Sequence, residues 1–258
     1  MHMFTHSIVC PPCASFAGGL TAAGLGAPNL DRALEQHERY CEALERFGVE
    51  LTRLAPDPRH PDSTFVEDTA VLAARCAVIT RPGAISRRGE TKAVREALEP
   101  FYGTFYEIEA PGTMDGGDVC EAGEHFFIGI SERTNKEGAR QLAGFLSSSG
   151  YTSAFIDVRG FAGLLHLKSG LAFLGDRWLV VDEALAGLKE FSDYRLLQVE
   201  PAEKYAANCV RINDHVLLAS GYPKIEARLR GLGMNVVALD MSEFRKMDGG
   251  LSCLSLRF

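Results

Sequence analysis

The chain has no apolar run approaching the roughly 18 residues that a membrane span requires. It has no basic excess: 27 Lys and Arg stand against 34 Asp and Glu, a net charge of −7, which sets nucleic acid aside as a partner. No Pro/Ser-rich linker or composition break divides the 258 residues, so one domain over 1–258 is expected. There is no compact, even set of cysteines. Seven are scattered at 10, 13, 41, 76, 120, 209 and 253. An odd, dispersed set argues against a disulfide framework and for a reducing compartment such as the cytoplasm. The opening MHMFTHSIVCPPC lacks a charged segment followed by a sustained apolar core, so no secretory leader is expected there. Cys10 and Cys13 form a CxxC, but two prolines fill it and no second pair follows. It reads as a strand-to-loop junction rather than a redox or zinc motif.

What is present is an ordinary soluble composition, 46% hydrophobic, with a repeat written into it. The phrase MDGG occurs at 114–117 and again at 247–250, each copy after an apolar run. A first helix is expected after Asn29, a good N-cap, with Ala33, Leu34, His37, Cys41, Leu44 and Phe47 at helical spacing and Gly48 as its stop. Further along, five units read as strand, polar loop, hairpin and helix. Their helices include 182–191, and a Gly-Asp turn is expected at 175–176. The polar loops centre on Asp68, Asp115, His166, Asn208 and Asp248, spaced by 47, 51, 42 and 40 residues. A period of that size marks a propeller or another repeat array. Five αβ units set in a ring would aim all five loops at one axis.

At those loops stand Cys253, His166 and the carboxylates Asp62, Glu67, Asp68, Asp115 and Asp118. Thiol, imidazole and carboxylate together suit nucleophilic catalysis: one attacks, one shuttles a proton, one orients. An inert reading stands beside each, since cysteine is commonly a core filler, histidine between leucines a satisfied core residue, and aspartate a turn cap. Cys253 stands out because Gly249 and Gly250 permit close backbone approach to a ligand. Several acids around one thiol oppose thiolate formation and repel anions. They make sense if the ligand is a cation, and a guanidinium pairs bidentately with carboxylates. Its bound charge would also lower the thiol pKa. Arg87, Arg88 and Arg133 follow the first two hairpins and could meet a carboxylate on such a ligand.

The segments PDSTFVED (61–68), ITRPGAISRRGET (79–91), EAPGTMDGGD (109–118), SERTNKEGARQ (131–141), LLHLKSGLA (164–172), YAANC (205–209) and DGGLSCLSLRF (248–258) carry a resemblance over nearly the whole chain. Together they resemble the dimethylarginine dimethylaminohydrolases, within the guanidino-modifying (pentein) superfamily. The resemblance implies an α/β fold, a five-bladed pseudo-symmetric αβ propeller. It implies hydrolysis of Nω-methylated arginine to citrulline with Cys253 as nucleophile, His166 as proton shuttle and Asp115 as the third catalytic residue. It also implies that Asp68 and Asp115 hold the guanidinium, that Arg87 and Arg133 bind the α-carboxylate, and that Asp62 with the carbonyls of Leu20 and Met247 receives the α-amino group. Glu67 would line the site. No metal or organic cofactor is implied, and a homodimer is. Aspartate at 115 departs from the glutamate that some bacterial relatives carry, which bears on reach rather than chemistry.

Arginine deiminase is the nearest rival, but its relatives usually carry a helical insertion for which the 47 residues between Asp68 and Asp115 leave no room. Amidinotransferases are typically longer. A hydrolase of another guanidino compound stays open. A silent guanidine-binding module would not need Cys253, His166 and Asp115 together, and acid-rich loops suit a small cation better than the peptide of a cysteine peptidase.

Overall fold

The computed structural model describes residues 3–258. The chain begins with β1 (His6–Val9), crosses over through α1 (Leu30–Arg46) and returns as β2 (Glu50–Arg53), parallel to β1. A second unit holds the hairpin β3 (Ala70–Ala73) and β4 (Cys76–Ile79), then α2 (Thr91–Leu98) and β5 (Phe105–Glu107). The third holds β6 (Val119–Ala122), β7 (His125–Ile130), α3 (Lys136–Ser148) and β8 (Thr152–Asp157). The fourth holds β9 (Leu171–Gly175), β10 (Trp178–Asp182) and β11 (Arg195–Val199). The fifth holds β12 (Val210–Ile212), β13 (His215–Ala219), α4 (Pro223–Gly231) and β14 (Asn235–Leu239). After α5 (Ser242–Arg245), β15 (Ser255–Arg257) pairs antiparallel with β1 and completes the first sheet. Five three-stranded sheets result, each with one antiparallel and one parallel strand pair; in four the antiparallel pair is a hairpin, and in the first it is β1 with β15. This is the five-bladed αβ propeller that the resemblance implies, closed by joining the two ends of the chain.

The boundaries of the repeat differ from the sequence reading. The strand before each polar loop belongs to the preceding hairpin: β5 (from FYEIEA) pairs with β4, not with β6 or β7. A parallel return needs a crossover connection, and the helix that supplies it lies between hairpin and strand. The helix expected at 182–191 is instead two single 3-10 turns, Glu183–Leu185 and Lys189–Phe191, on either side of Gly187. The turn of the β9–β10 hairpin falls one residue later than expected, on Asp176 and Arg177, both left-handed (φ 47° and 63°).

Helix α1 starts where its cap predicts: the Arg32 amide donates to the Asn29 side-chain carbonyl (2.9 Å). Its buried stripe runs through Ala33, His37, Tyr40, Cys41 and Leu44, and Leu34 faces outward at 38% exposure. Position 34 lies one residue, about 100°, round from Ala33, and Tyr40 takes the inward place. Asn135 caps α3 in the same way, receiving the Gly138 amide (2.8 Å). The CxxC lies where β1 passes into a loop, with Cys10 and Cys13 buried and unpaired.

A 3-10 turn precedes one edge strand of each sheet, β3, β6, β9, β12 and β15 respectively: Val66–Thr69, Gly116–Asp118, Leu167–Ser169, Pro201–Ala207 and Ser252–Leu254. The strands that follow wall an axial cavity of about 230 Å³, with Val71, Val119, Leu171, Val210 and Leu256 on its lining. At one end of the axis the turns meet, and there the chemistry collects.

Candidate active site

Cys253 lies in the last of these turns, half-buried, and the Gly250 amide donates to its Sγ (3.4 Å). The glycines before it are required by crowding. A Cβ on Gly249 would stand 2.3 Å from the Phe65 ring, and one on Gly250 would stand 2.5 Å from the Asn208 side-chain amide. Asn208 pins this turn, accepting the Ser252 amide (2.9 Å) and donating to the Lys168 carbonyl (2.9 Å).

His166 stands immediately before the fourth sheet's turn and Asp115 immediately before the third's. The imidazole Nε2 lies 3.1 Å from Asp115 Oδ2, while Asp115 Oδ1 receives the Gly83 amide (2.9 Å). Asp68, from the second sheet's turn, receives the Gly117 amide on Oδ1 (2.9 Å) and meets Arg87 Nη1 through Oδ2 (2.5 Å). Asp118 lies beneath the imidazole with no exposed surface. It accepts the Ser131 hydroxyl (2.6 Å), the Thr134 hydroxyl (2.7 Å) and the amide of Leu167 (3.0 Å), the residue after His166.

One narrow cleft, of about 30 Å³, brings together Cys253, His166, Asp68, Asp62, Arg87, Arg133, Leu20 and Met247. Asp115 is buried directly behind them. Asp62 Oδ1 receives the Leu20 amide (3.0 Å), which fixes the loop at Leu20 over the cleft. Arg87 is already committed: it is buried and paired with Asp68 and Glu90 (2.8 Å). Arg133 also lines the cleft and forms no ion pair among the described residues.

Three expectations need correction. Glu67 lies outside this cleft. Its carboxylate points into the axial cavity, where it meets Lys168 (2.7 Å), Arg257 (3.1 Å) and the Ser252 hydroxyl (2.7 Å). Arg88 donates to the Pro82 carbonyl (3.1 Å) and does not reach the cleft. Asp248 is not the counterpart of Asp115 despite the shared MDGG. In left-handed backbone (φ 57°), it turns to the loop above and receives the Ala22 amide (2.6 Å) and Thr21 hydroxyl (3.0 Å). The sequence reading also passed over Phe65 and Leu165 on the cleft wall and Glu90 behind Arg87. Glu90 carried a signal, lying three residues from Arg87 where a helical turn brings the two together.

The electrostatics separate acid from nucleophile. Burial, reinforced by the carboxylates of Glu67 and Asp68, pushes the Cys253 thiol up to about 12. Burial alone would lower His166, but Asp68, Asp118 and Asp115 outweigh it and lift the imidazole to about 9. Burial opposes the ionised form of Asp68, yet His166 and Arg87 hold it down at about 2. At neutral pH the resting site therefore holds a thiol, an imidazolium and ionised Asp68. The nearest oxygens and nitrogen of Asp68, Asp115 and His166 lie within 4.8 Å of one another. That spacing could admit a cation, but Arg87 and the imidazolium already supply positive charge there.

No family model matches the chain. Individual relatives do. The N(G),N(G)-dimethylarginine dimethylaminohydrolase of Pseudomonas aeruginosa is 45% identical over 257 residues, 99% of this chain and 100% of that protein. The enzyme of the same name from Streptomyces coelicolor is 37% identical, covering 87% of this chain and 85% of its own. Among solved structures, a Cys-to-Ser variant of the Pseudomonas enzyme, complexed with citrulline, superposes with a TM-score of 0.96 at 44% identity, each chain covered in full. The N-terminal domain of ArgZ, a cyanobacterial arginine dihydrolase, shares the fold at a TM-score of 0.88 and 19% identity. Identity of this order across the whole length, on the same propeller, places the chain in the dimethylarginine dimethylaminohydrolase family.

Proposed function

We propose that the chain hydrolyses Nω-methylated L-arginine, asymmetric dimethylarginine and the monomethyl form, to L-citrulline and dimethylamine or methylamine. The observation that carries this reading is the meeting of the Cys253 thiol, the His166 imidazole and the carboxylates of Asp68 and Asp115 at one narrow cleft. Asp68 and Asp115 bind the guanidinium, and the arriving positive charge offsets the carboxylates that hold the thiol protonated. Cys253 then gives up its proton to solvent, and its sulfur attacks the guanidinium carbon as the C=N π pair moves onto nitrogen. As the tetrahedral adduct collapses, the bond to the methylated nitrogen breaks and His166 hands its proton to the leaving amine. A thiouronium on Cys253 remains. Neutral His166 takes a proton from water, the resulting hydroxyl adds to the same carbon, and the C–S bond breaks with its electron pair returning to sulfur, which is reprotonated by the proton that the new hydroxyl loses as citrulline is released. Arg133 holds the substrate carboxylate; Asp62 and the carbonyls of Leu20 and Met247 hold its amino group. These steps call on no metal and no organic cofactor.

The seven unpaired thiols fit a reducing compartment, and the cytoplasm is part of this reading. So are a single domain over 1–258 and a homodimer, which sedimentation at micromolar concentration tests. No helix among the described residues is long and apolar enough to cross a membrane.

The direct test supplies purified protein with asymmetric dimethylarginine or with arginine and measures citrulline, with Cys253→Ser alongside. Citrulline from the methylated substrate, lost in the variant, is the expected outcome. Turnover of arginine alone would make the protein a deiminase on the same mechanism, and no turnover of either would remove the assignment.

A further inference from the structure

Leu165 stands immediately before His166 and lines the cleft, half-buried. Its neighbours are absorbed by packing: Leu164 and Leu167 join the same apolar cluster between the third and fourth sheets. Leu165 belongs to none of the molecule's apolar clusters. Phe65 and Met247, also on the cleft wall, belong to the cluster under α1. Leu165 is thus a cleft-wall aliphatic side chain outside the apolar clusters of the described residues, next in sequence to the group proposed to protonate the leaving amine.

A count of acceptors gives that placement a meaning. A guanidinium on an alkyl chain carries five N–H donors; with one nitrogen dimethylated it carries three. Asp68 already receives Gly117 and Arg87, and Asp115 already receives Gly83 and faces His166. Their remaining lone pairs suit the unsubstituted nitrogens. The nitrogen that leaves must lie toward His166, and Leu165 is the apolar residue that precedes it on the cleft lining. With Asp68 and Asp115 engaged by the other nitrogens, an unsubstituted leaving nitrogen would turn a donor toward Leu165, a desolvation cost that methyl groups avoid.

We infer that Leu165 is a specificity-determining residue, an apolar wall that receives the ω-methyl groups and disfavours unsubstituted arginine. The inference rests on the proposed function and names the contact that selects within it. Leu165→Asn sets a carbonyl acceptor where the methyl groups would lie; Leu165→Met keeps the wall. The measurement is kcat/KM for asymmetric dimethylarginine and for arginine in each form, with binding of both ligands measured by calorimetry in a Cys253→Ser background. The ratio of the two kcat/KM values should fall about tenfold or more in Leu165→Asn and stay within about threefold of the parent in Leu165→Met. The calorimetric preference should move the same way, which a general loss of activity would not produce. Equal losses on both substrates in Leu165→Asn, with the binding preference unchanged, would overturn the inference while leaving the function standing. Failure of the unaltered protein to turn over dimethylarginine would instead overturn the function, and this inference with it.

Discussion

Cys253 and His166 have their proton affinities arranged in reverse of a resting thiolate–imidazolium pair. The thiol is pushed up to about 12 by burial and by Glu67 and Asp68, while the imidazole is lifted to about 9 by the acids around it, against its burial. Neutral iodoacetamide should therefore alkylate Cys253 slowly at pH 7, with a rate still climbing beyond pH 10. A plateau near pH 7 would contradict the account. In the proposed mechanism His166 must be protonated to expel the amine, so kcat/KM, which reports the free enzyme, should decline as pH rises through about 9, and that limb should be missing from the residual activity of His166→Asn. Stability carries the same sign. The folded value lies above the ordinary 6.5, so the contribution of His166 is complete below about 6.5 and is lost as pH rises through 9. Chemical denaturation between pH 6 and 10 reads that loss.

At the scale of the element, the five 3-10 turns decide which side chains reach the cleft. Successive residues in such a turn point about 120° apart, which is why Asp68 faces the substrate side and Glu67, its neighbour, faces the axis. Sequence spacing placed both in one loop but could not choose between their directions. Cys253, His166, Asp68 and Asp115 were legible because their residue types declare chemistry and their loops recur. Leu165 and Glu90 declare nothing until the fold places them. Asp118 belongs to this scale as well: by receiving the Leu167 amide it positions the turn that carries His166. Asp118→Asn should lower kcat about tenfold or more and move the descending pH limb toward lower pH, with KM little changed. An unaltered pH profile would leave Asp118 a purely structural group. Close approach is equally strict at Gly138, where a Cβ would stand 2.1 Å from the Thr113 carbonyl oxygen. Gly138→Ala should cost about 2 kcal/mol or more in a urea titration.

The whole molecule is a ring whose closure sits next to its nucleophile. β15 is supplied by the last residues, pairs with β1, and begins two positions after Cys253. The Phe258 carbonyl receives the amides of Thr5 and His6, so the termini are laced together. Truncation after Leu254 should lower the melting temperature by about 10 °C or more and abolish activity, though every catalytic side chain is retained. The five-fold repeat was readable from the loop spacing. The pairing of each hairpin with the strand after its helix was not, because strand partners are chosen by crossover geometry rather than by local pattern.

The central claim is that a covalent thiouronium forms on Cys253 and is opened by water. Protein mixed with asymmetric dimethylarginine in ¹⁸O-labelled water and quenched in acid during turnover should yield two signatures. Its mass should rise by that of the substrate less dimethylamine, localised to the peptide holding Cys253, and the citrulline released should carry one ¹⁸O. Labelled citrulline with no adduct on Cys253, the adduct being sought at the earliest quench times, would contradict the account and point to direct attack by water.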